Sequence, residues 1–277
     1  MFLRIISSAA LLLILIPRDA ASQKQPGYKL VWADEFNKNG KPDTANWSYE
    51  EGFVRNLEDQ WYQTDNAFCE NGLLIIEARR EARKNPLYEA GSNDWRKKRD
   101  SIHYSSSCII TRYKQQWQYG RFEMRARIDI SDGMWPAWWT LGVSKRWPAN
   151  GEIDIMEYYR DQLLANFVVL AKEGKQEWHT EIKKVSELGG KEWASKFHVW
   201  RMDWTKDFAA LYVDDMLLNK ISVDSLVNKD GSNFYPFRQP HYMLLDLAIG
   251  GQNGGDPSNT SFPRRFEVDY VRVYQEK

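Results

Sequence analysis

Apolar and polar residues alternate along much of this chain with the period of two that is typical of β-strands. Residues 121–130 alternate without interruption between apolar and charged side chains, which predicts a strand with one buried and one solvated face. Shorter segments of similar character predict further strands at residues 73–79, 167–171, 198–204, 209–213, 242–249 and 266–274. No long segment has a helical period, although residues 223–227 are compatible with one helical turn. Many short strands predict an all-β sandwich of two packed sheets.

The first 22 residues have the pattern of a signal peptide. Arg4 precedes a short apolar core at residues 5–16, and the small residues Ala20, Ala21 and Ser22 provide a cleavage site. The core is shorter than the roughly 20 residues of a membrane-spanning helix, although a signal anchor is an alternative. Neither cysteine lies near the cleavage site, so no lipid anchor is expected. We therefore expect residues 1–22 to be removed and residues 23–277 to form one secreted or periplasmic domain without a membrane span.

Composition favours a neutral ligand. The chain has 38 basic and 38 acidic residues, so no electrostatic feature favours nucleic acid or an anionic membrane surface as a partner. A heavily sulfated polysaccharide is disfavoured for the same reason. The 13 tryptophans and 14 tyrosines exceed what a core of this size needs, and such flat amphipathic rings suit carbohydrate.

Three acids cluster in residues 151–159, GEIDIMEYY. Glu152 and Asp154 share one face of a strand because they lie two residues apart. Glu157 faces the other way unless a β-bulge near Ile155 or Met156 absorbs one residue. With that bulge, the two glutamate side chains can approach to roughly 5 Å, the separation of a retaining glycosidase pair. The alternative is the solvated edge of an amphipathic strand.

Four tryptophans lie close to these acids in the sequence. Residues 134–139 read MWPAWW, and Trp147-Pro148 follows shortly before the acids. Indole faces are common platforms for the C–H surface of a sugar ring. The expected platform residues are Trp135, Trp138, Trp139 and Trp147.

The motifs WPAWWTLG and WPANGEIDIME resemble glycoside hydrolase family 16, whose laminarinase-type branch has the signature E-x-D-x-x-E. The similarity extends from WADEF at residues 32–36, through YGRFE at 119–123, to VDYVRVY at 268–274. It implies a β-jelly roll of two antiparallel sheets with a concave cleft. It also implies that Glu152 is the nucleophile, Asp154 an auxiliary residue and Glu157 the acid/base, with no cofactor in the chemistry.

The resemblance also implies substrate contacts and a metal site. The loop at residues 50–62 matches a family stretch on the glycone side of the cleft, which places Asn56, Glu58, Gln60 and Trp61 near substrate; an ordinary surface loop is the alternative. The glycine-rich turn at residues 250–256 is expected at the cleft rim, with Gln252 and Asn253 facing sugar hydroxyls. Family members often hold a structural calcium, and Glu35, the Gly72 carbonyl and Asp269 match its ligands.

These matches lead us to expect an endo-1,3(4)-β-glucanase that acts as a monomer on a polysaccharide. The chain departs from the laminarinase pattern at residues 167–171, which lack a G-T-x-H-Y-like histidine, and at Cys108, which follows Ser107 in place of an arginine. An endo-β-galactosidase acting on β-galactan or on poly-N-acetyllactosamine of mucin-type glycans therefore remains an alternative. A non-catalytic sugar-binding jelly roll is a further one.

Cys69 and Cys108 are the only cysteines. If residues 73–79 and 106–111 are antiparallel neighbours, the two lie near opposite ends of the pair, so we expect free thiols. The basic residues 84–100 are expected to form a solvated insertion beside the cleft. The four histidines, at positions 103, 179, 198 and 241, have no ligand spacing and are expected to pack or lie on the surface.

Overall fold

Two β-sheets contain about half of the described chain. The computed structural model describes residues 27–277, so the predicted signal peptide lies outside the described residues. The strands are β1 Tyr28–Asp34, β2 Ser48–Glu50, β3 Gln60–Tyr62, β4 Ala67–Glu70, β5 Leu73–Lys84, β6 Ser101–Ser106, β7 Cys108–Ile110, β8 Gly120–Arg127, β9 Met134–Gly142, β10 Glu152–Tyr159, β11 Gln162–Leu170, β12 Gln176–Lys184, β13 His198–Trp204, β14 Phe208–Val213, β15 Met216–Ser222, β16 His241–Ile249 and β17 Arg264–Glu276.

Helical structure in the described range is confined to single turns. The α-helical segments are α1 Trp95–Lys98, α2 Val185–Leu188, α3 Gly190–Ala194 and α4 Gly251–Gly254, and the 3₁₀ segments are Thr64–Asn66, Lys172–Gly174, Val223–Ser225 and Pro236–Arg238. The third of these 3₁₀ segments confirms the helical turn predicted at residues 223–227. Nowhere between residues 27 and 277 is a helix both long and apolar enough to span a membrane.

The larger sheet has ten strands and the smaller has seven. The larger has the order β15-β14-β13-β8-β17-β5-β6-β3, with β1 also on β17 and β4 also on β5; the smaller has the order β12-β11-β10-β9-β16-β7-β2. Pairing is antiparallel except between β3 and β6, which are parallel. The expected jelly-roll sandwich is confirmed, with this one parallel pair as an exception.

The core lies between the two sheets. In β8, Phe122, Met124 and Ala126 are fully buried, while the charged residues between them remain partly exposed. They pack in one cluster with residues of the smaller sheet, including Trp138 and Phe167. The alternation predicted for residues 121–130 is thus correct, although pairing ends at Arg127. Burial of each large apolar side chain contributes about 1.5–3 kcal/mol.

A second apolar cluster covers the outer face of the smaller sheet. It comprises Cys108 from β7, Ala137 and Trp139 from β9, Tyr242 and Leu244 from β16, and Tyr62 from β3. Strand β9 is therefore buried on both faces. This explains why its sequence, MWPAWWTLG, is almost continuously apolar and does not alternate.

Both cysteines are buried and free, as expected. The reason differs from the predicted one. Residues 106–111 do not pair with residues 73–79 as one strand, because the chain crosses from β6 in the larger sheet to β7 in the smaller one. Cys69 lies on β4 and Cys108 on β7, so the two thiols belong to different sheets.

The residues expected to bind calcium are engaged in ion pairs. Both oxygens of Glu35 accept hydrogen bonds from Arg272, at 2.7 and 2.8 Å, and Asp269 accepts one from Arg125 at 2.5 Å. Gly72 lies in the turn between β4 and β5. A guanidinium beside each carboxylate offsets the negative charge that attracts Ca²⁺. These ion pairs do not favour calcium at Glu35 and Asp269, and calcium binding stays a prediction.

Candidate active site

A β-bulge in β10 turns three acids to the same side of the smaller sheet. Asp154 pairs with Trp139 of β9, but the next pairing, Met156 with Trp138, skips one residue. The register with β11 shifts in the same interval, between Asp154 and Glu157. Ile155 and Met156 are both fully buried in the core. The bulge predicted near these two residues is therefore present, and it returns Glu157 to the face of Glu152.

The three acids line a small cavity on the outer face of the sheet. The other side chains around it are Arg55, Asn56, Glu58, Trp135, Ala137, Trp139 and Asp246. Five carboxyl groups thus face one arginine. Such a concentration of buried acids is costly in a structural role and is typical of functional sites.

Hydrogen bonds hold the three acids in place. The side-chain amide of Asn166, on β11, donates to Asp154 at 2.7 Å and to Glu157 at 2.9 Å. Glu157 also accepts from the indole N–H of Trp135 at 2.8 Å. Glu152 accepts from the indole of Trp147 and shares a hydrogen bond with Asp154. Every acid of the triplet therefore has a fixed partner.

The tryptophans near the acids act differently from the sequence expectation. Trp135 and Trp139 are only 5% and 8% exposed, so their ring faces are not open platforms. Instead each donates an indole N–H to a carboxylate, Trp139 to Asp246 at 2.7 Å. Trp147 is 47% exposed and retains a face that a sugar can reach.

The prediction for Trp138 is wrong. This residue is fully buried in the core between the sheets. Alternate side chains of β9 point to opposite faces, so Trp135 and Trp139 face the cavity and Trp138 faces inward. No period in the sequence distinguishes these tryptophans, because β9 is apolar on both faces.

The loop before β3 supplies one wall of the cavity. Glu58 is 2% exposed and accepts hydrogen bonds from Asn56 at 3.2 Å and from Gln60 at 2.7 Å. Gln60 accepts in turn from the backbone N–H of Ile249 at 2.7 Å, which ties the loop to β16. The structure thus brings Asn56 and Glu58 to the acid triplet, as expected.

Two other expected contacts lie outside the cavity. Trp61 alternates with Gln60 and Tyr62 on β3, points away from the acids and packs edge-on against Phe53. Trp61 therefore does not line this cavity, and its contact with substrate stays a prediction. Gln252 lies exposed on α4, and its backbone N–H donates to the Asn56 carbonyl at 3.0 Å. It lies beside the wall, and its contact with sugar stays a prediction.

Sequence reasoning missed Arg55, Asn166 and Asp246. Asp246 accepts from Trp139 and, at 2.9 Å, from the hydroxyl of Tyr62. Arg55 pairs with Glu50, and its guanidinium lies 5.1 Å from the ring centre of Trp139. The single acid in HYMLLDLAI and the amide in the interior of QLLANFVVL were available signals, since a polar residue inside an apolar strand requires a partner. Arg55 had no such signal.

Burial raises the pKa of every acid in the cavity. It raises the pKa of Glu157 well above the ordinary value, and the charge of Asp154 adds to this shift. Burial raises the pKa of Glu152 to about 7, against the hydrogen bonds from Trp147 and Asp154, which lower it. The pKa of Glu58 rises to about 7 and that of Asp246 to about 6, both through burial. The arrangement favours a proton on Glu157 while Glu152 ionises more readily.

Comparison with known proteins agrees with this site. Residues 56–272 match the family described as Glycosyl hydrolases family 16. A beta-glucanase of Rhodothermus marinus is 35% identical over an alignment of 280 residues. The alignment covers 92% of this chain and 87% of that protein.

Solved structures give the same result. One, from work on endo-acting O-glycanases of the human gut microbiota that initiate mucin breakdown, has a TM-score of 0.82 and 32% identity, and the match covers 91% of this chain and 92% of that one. The laminarinase catalytic domain of Thermotoga maritima has a TM-score of 0.74 and 30% identity, covering 90% and 99%. The chain therefore belongs to glycosyl hydrolase family 16 and is a glycoside hydrolase.

Proposed function

We propose that this protein is an endo-acting, retaining β-glycosidase that hydrolyses a neutral polysaccharide, as an endo-1,3(4)-β-glucanase. The observation that supports it best is the bulge in β10, which brings Glu152 and Glu157 into one cavity. Two carboxyl groups with different protonation preferences on one side of a cleft are what this reaction needs.

The proposed mechanism has two steps. Glu157 donates its proton to the glycosidic oxygen as the carboxylate of Glu152 attacks the anomeric carbon, which gives a glycosyl-enzyme and a free leaving sugar. Glu157, now ionised, then takes a proton from water as that water attacks the same carbon and releases Glu152. Two displacements retain the configuration. Protonated Asp154 positions Glu152 by donating a hydrogen bond to it, and when Asp154 is ionised its charge raises the pKa of Glu157.

The glucan assignment rests on the relatives. The Rhodothermus marinus protein is a beta-glucanase, and the Thermotoga maritima structure is a laminarinase domain. The balanced charge of the chain agrees with an uncharged glucan.

An endo-β-galactosidase acting on mucin-type O-glycans is the second candidate. It is favoured by the TM-score of 0.82 with the O-glycanase structure, against 0.74 with the Thermotoga maritima laminarinase domain, at nearly equal sequence identity. The departures from the laminarinase pattern at Cys108 and residues 167–171 agree with it. Cys108 of β7 is the direct cross-strand partner of Asp246, one of the acids in the cavity.

A substrate panel tests both candidates. The purified protein is incubated with laminarin, lichenan and mucin O-glycans, and internal cleavage is followed by product size. A glucanase should cleave laminarin and lichenan, whereas a galactosidase should cleave the mucin O-glycans. We expect Glu152→Gln and Glu157→Gln each to reduce kcat by at least 10³-fold. Proton NMR of the first product is expected to show the β-anomer. Full activity in a folded Glu152→Gln variant, or an α-anomer, would contradict the mechanism.

We also propose export by cleavage of the leader. The support is the apolar core at residues 5–16 with small residues at positions 20–22. Expression of the full-length chain and mass spectrometry of the mature protein should give an N-terminus at Gln23. A protein that retains residues 1–22 and stays with the membrane fraction would show a signal anchor instead.

A further inference from the structure

Strand β12 presents exposed apolar side chains beside the active-site face. It forms one edge of the seven-stranded sheet. Trp178 is 44% exposed and Ile182 is 51% exposed, although both are large apolar residues. No sequence pattern predicted this strand or a role for these residues.

The register of the sheet places these residues on the side of the catalytic acids. Trp178 pairs with Val168 of β11, which pairs with Glu152 of β10. Ile182 pairs with Leu164, which pairs with Glu157. Directly paired residues of antiparallel strands project from the same face. Trp178 and Ile182 therefore lie on the same face of the sheet as Glu152 and Glu157, two strands away.

The distance suits an outer sugar-binding position. Neighbouring strands lie about 4.8 Å apart, so β12 is roughly 10 Å from β10, a span of about two sugar rings laid across the strands. On the other side of the acids, the loop with Asn56 and Glu58 closes the cavity over β16. The loop therefore bounds the cavity towards β16, and β12 lies on the opposite side of the acids.

We propose that Trp178, supported by Ile182, forms an outer sugar subsite on the leaving-group side of the cleft. The side follows from the resemblance, which puts the Asn56 loop on the glycone side. This inference rests on the proposed function, because its ligand is the polysaccharide that the acids cleave. An indole with an open face binds the C–H surface of a pyranose, and the aliphatic Ile182 widens the platform.

The surroundings favour a sugar chain over a second protein. Only two exposed apolar side chains lie on this strip, which is much smaller than a stable protein interface. The strand also carries charged side chains on its opposite face, including Glu177, which pairs with Lys229, and Lys183, which pairs with Glu187. Such charges discourage pairing of the sheet edge with another strand. A narrow strip of this kind, continuous with a catalytic cavity, suits a linear polysaccharide.

The test compares long and short substrates of the same linkage. With Trp178→Ala we expect kcat/KM to fall about 5- to 10-fold on the cleaved polysaccharide and its long oligosaccharides, mainly through KM, because stacking contributes on this scale. A chromogenic glycoside whose leaving group ends before β12 should be cleaved equally by both proteins. Trp178→Phe should recover most of the loss. Product patterns should shift away from cleavage registers that place sugars over β12.

A matched control isolates the position. Ile182→Ala removes an apolar side chain on the cleft face, and Leu217→Ala removes one that is 50% exposed on β15 in the other sheet. We expect a loss on long substrates only for Ile182→Ala. Unchanged KM and product pattern in Trp178→Ala would overturn the inference while leaving the proposed function intact.

A binding measurement distinguishes failure of the proposed function from failure of the subsite. Calorimetric titration of the Glu152→Gln protein with the oligosaccharides of the panel should show weaker binding when Trp178→Ala is added. If the wild-type protein cleaves nothing in the panel but this difference persists, the proposed function fails and the subsite stands. If Trp178→Ala changes neither binding nor cleavage, the subsite is wrong.

Discussion

At the scale of single residues, the tryptophans of this site act through their N–H groups as much as through their rings. Trp135, Trp139 and Trp147 each donate to a different carboxylate. A donor stabilises the ionised form and lowers the pKa, whereas burial raises it. The tryptophans therefore reduce the rise in carboxyl pKa that burial alone would cause. They also fix the orientation of the acids.

Asn166 provides a test of this tuning. It donates to Asp154 and Glu157 and lowers the pKa of both. In Asn166→Ala the pKa of Glu157 should rise, so this acid stays protonated to higher pH. We expect the alkaline limb of the kcat/KM profile to move to higher pH and its maximum to fall about 10- to 100-fold.

Asn219 offers a matched control for that experiment. It is also a buried amide, but it donates only to the backbone carbonyls of Ala165 and His179. Asn219→Ala should lower stability by about 1–3 kcal/mol, since buried acceptors lose their donor, and leave the pH profile in place. Equal profiles for the two variants would show that Asn166 has only a structural role.

At the scale of elements, the basic segment at residues 84–100 supports the cavity wall. It was expected to be a solvated insertion, and most of it is exposed. Its last turn is anchored by Asn85, which donates to the carbonyls of Arg96 and Arg99. Arg99 then donates to the carbonyls of Leu57 and Glu58, at 2.7 and 2.5 Å. The segment therefore holds the loop that carries Glu58.

Loss of the Arg99 hydrogen bonds should affect substrate binding more than the chemical step. In Arg99→Ala the carbonyls of Leu57 and Glu58 lose a charged donor, which we expect to lower stability by about 1–3 kcal/mol and to raise KM several-fold with a smaller change in kcat. Arg96→Ala is the control in the same segment, because Arg96 pairs only with Asp94 at the surface. A KM change of the same size in both variants would contradict the role assigned to Arg99.

At the scale of the whole molecule, the buried acids link stability to pH. The folded-state pKa of Glu58 is about 7, against 4.5 for an ordinary glutamate. Between these values the folded state binds a proton that the unfolded state has lost, so stability falls as pH rises through this window. Glu152 and Asp246 act in the same direction. His241, whose pKa is lowered to about 4, acts in the opposite direction.

Glu58→Gln should reduce this dependence. The variant removes the cost of ionising a buried carboxyl, which is about 3–4 kcal/mol at 1.36 kcal/mol per pKa unit. We expect it to unfold at a higher temperature than the wild-type protein at pH 8 and at a similar one near pH 4.5. Thermal unfolding from pH 4 to 8 measures this, with the exposed Glu70→Gln as control. A parallel pair of curves for Glu58→Gln and wild type would contradict the assigned shift.

The alternation along the chain determined much of this protein by itself. It predicted the strand at residues 198–204, and the spacing of Glu152, Asp154 and Glu157 required a bulge near Ile155 if the acids were to act together. These conclusions depend only on neighbouring residues and on the period-two geometry of a strand, which every strand obeys.

Tertiary structure alone decided which side chains surround the acids. Strand β9 is apolar on both faces, so only its pairing with β10 and β16 separates Trp135 and Trp139 from the buried Trp138. Asp246 reaches the cavity from a distant part of the chain, and Trp178 lies on the same face of the sheet only because β12 pairs with β11. Such contacts depend on strand order and register across the sheet, and these are set by packing between distant segments.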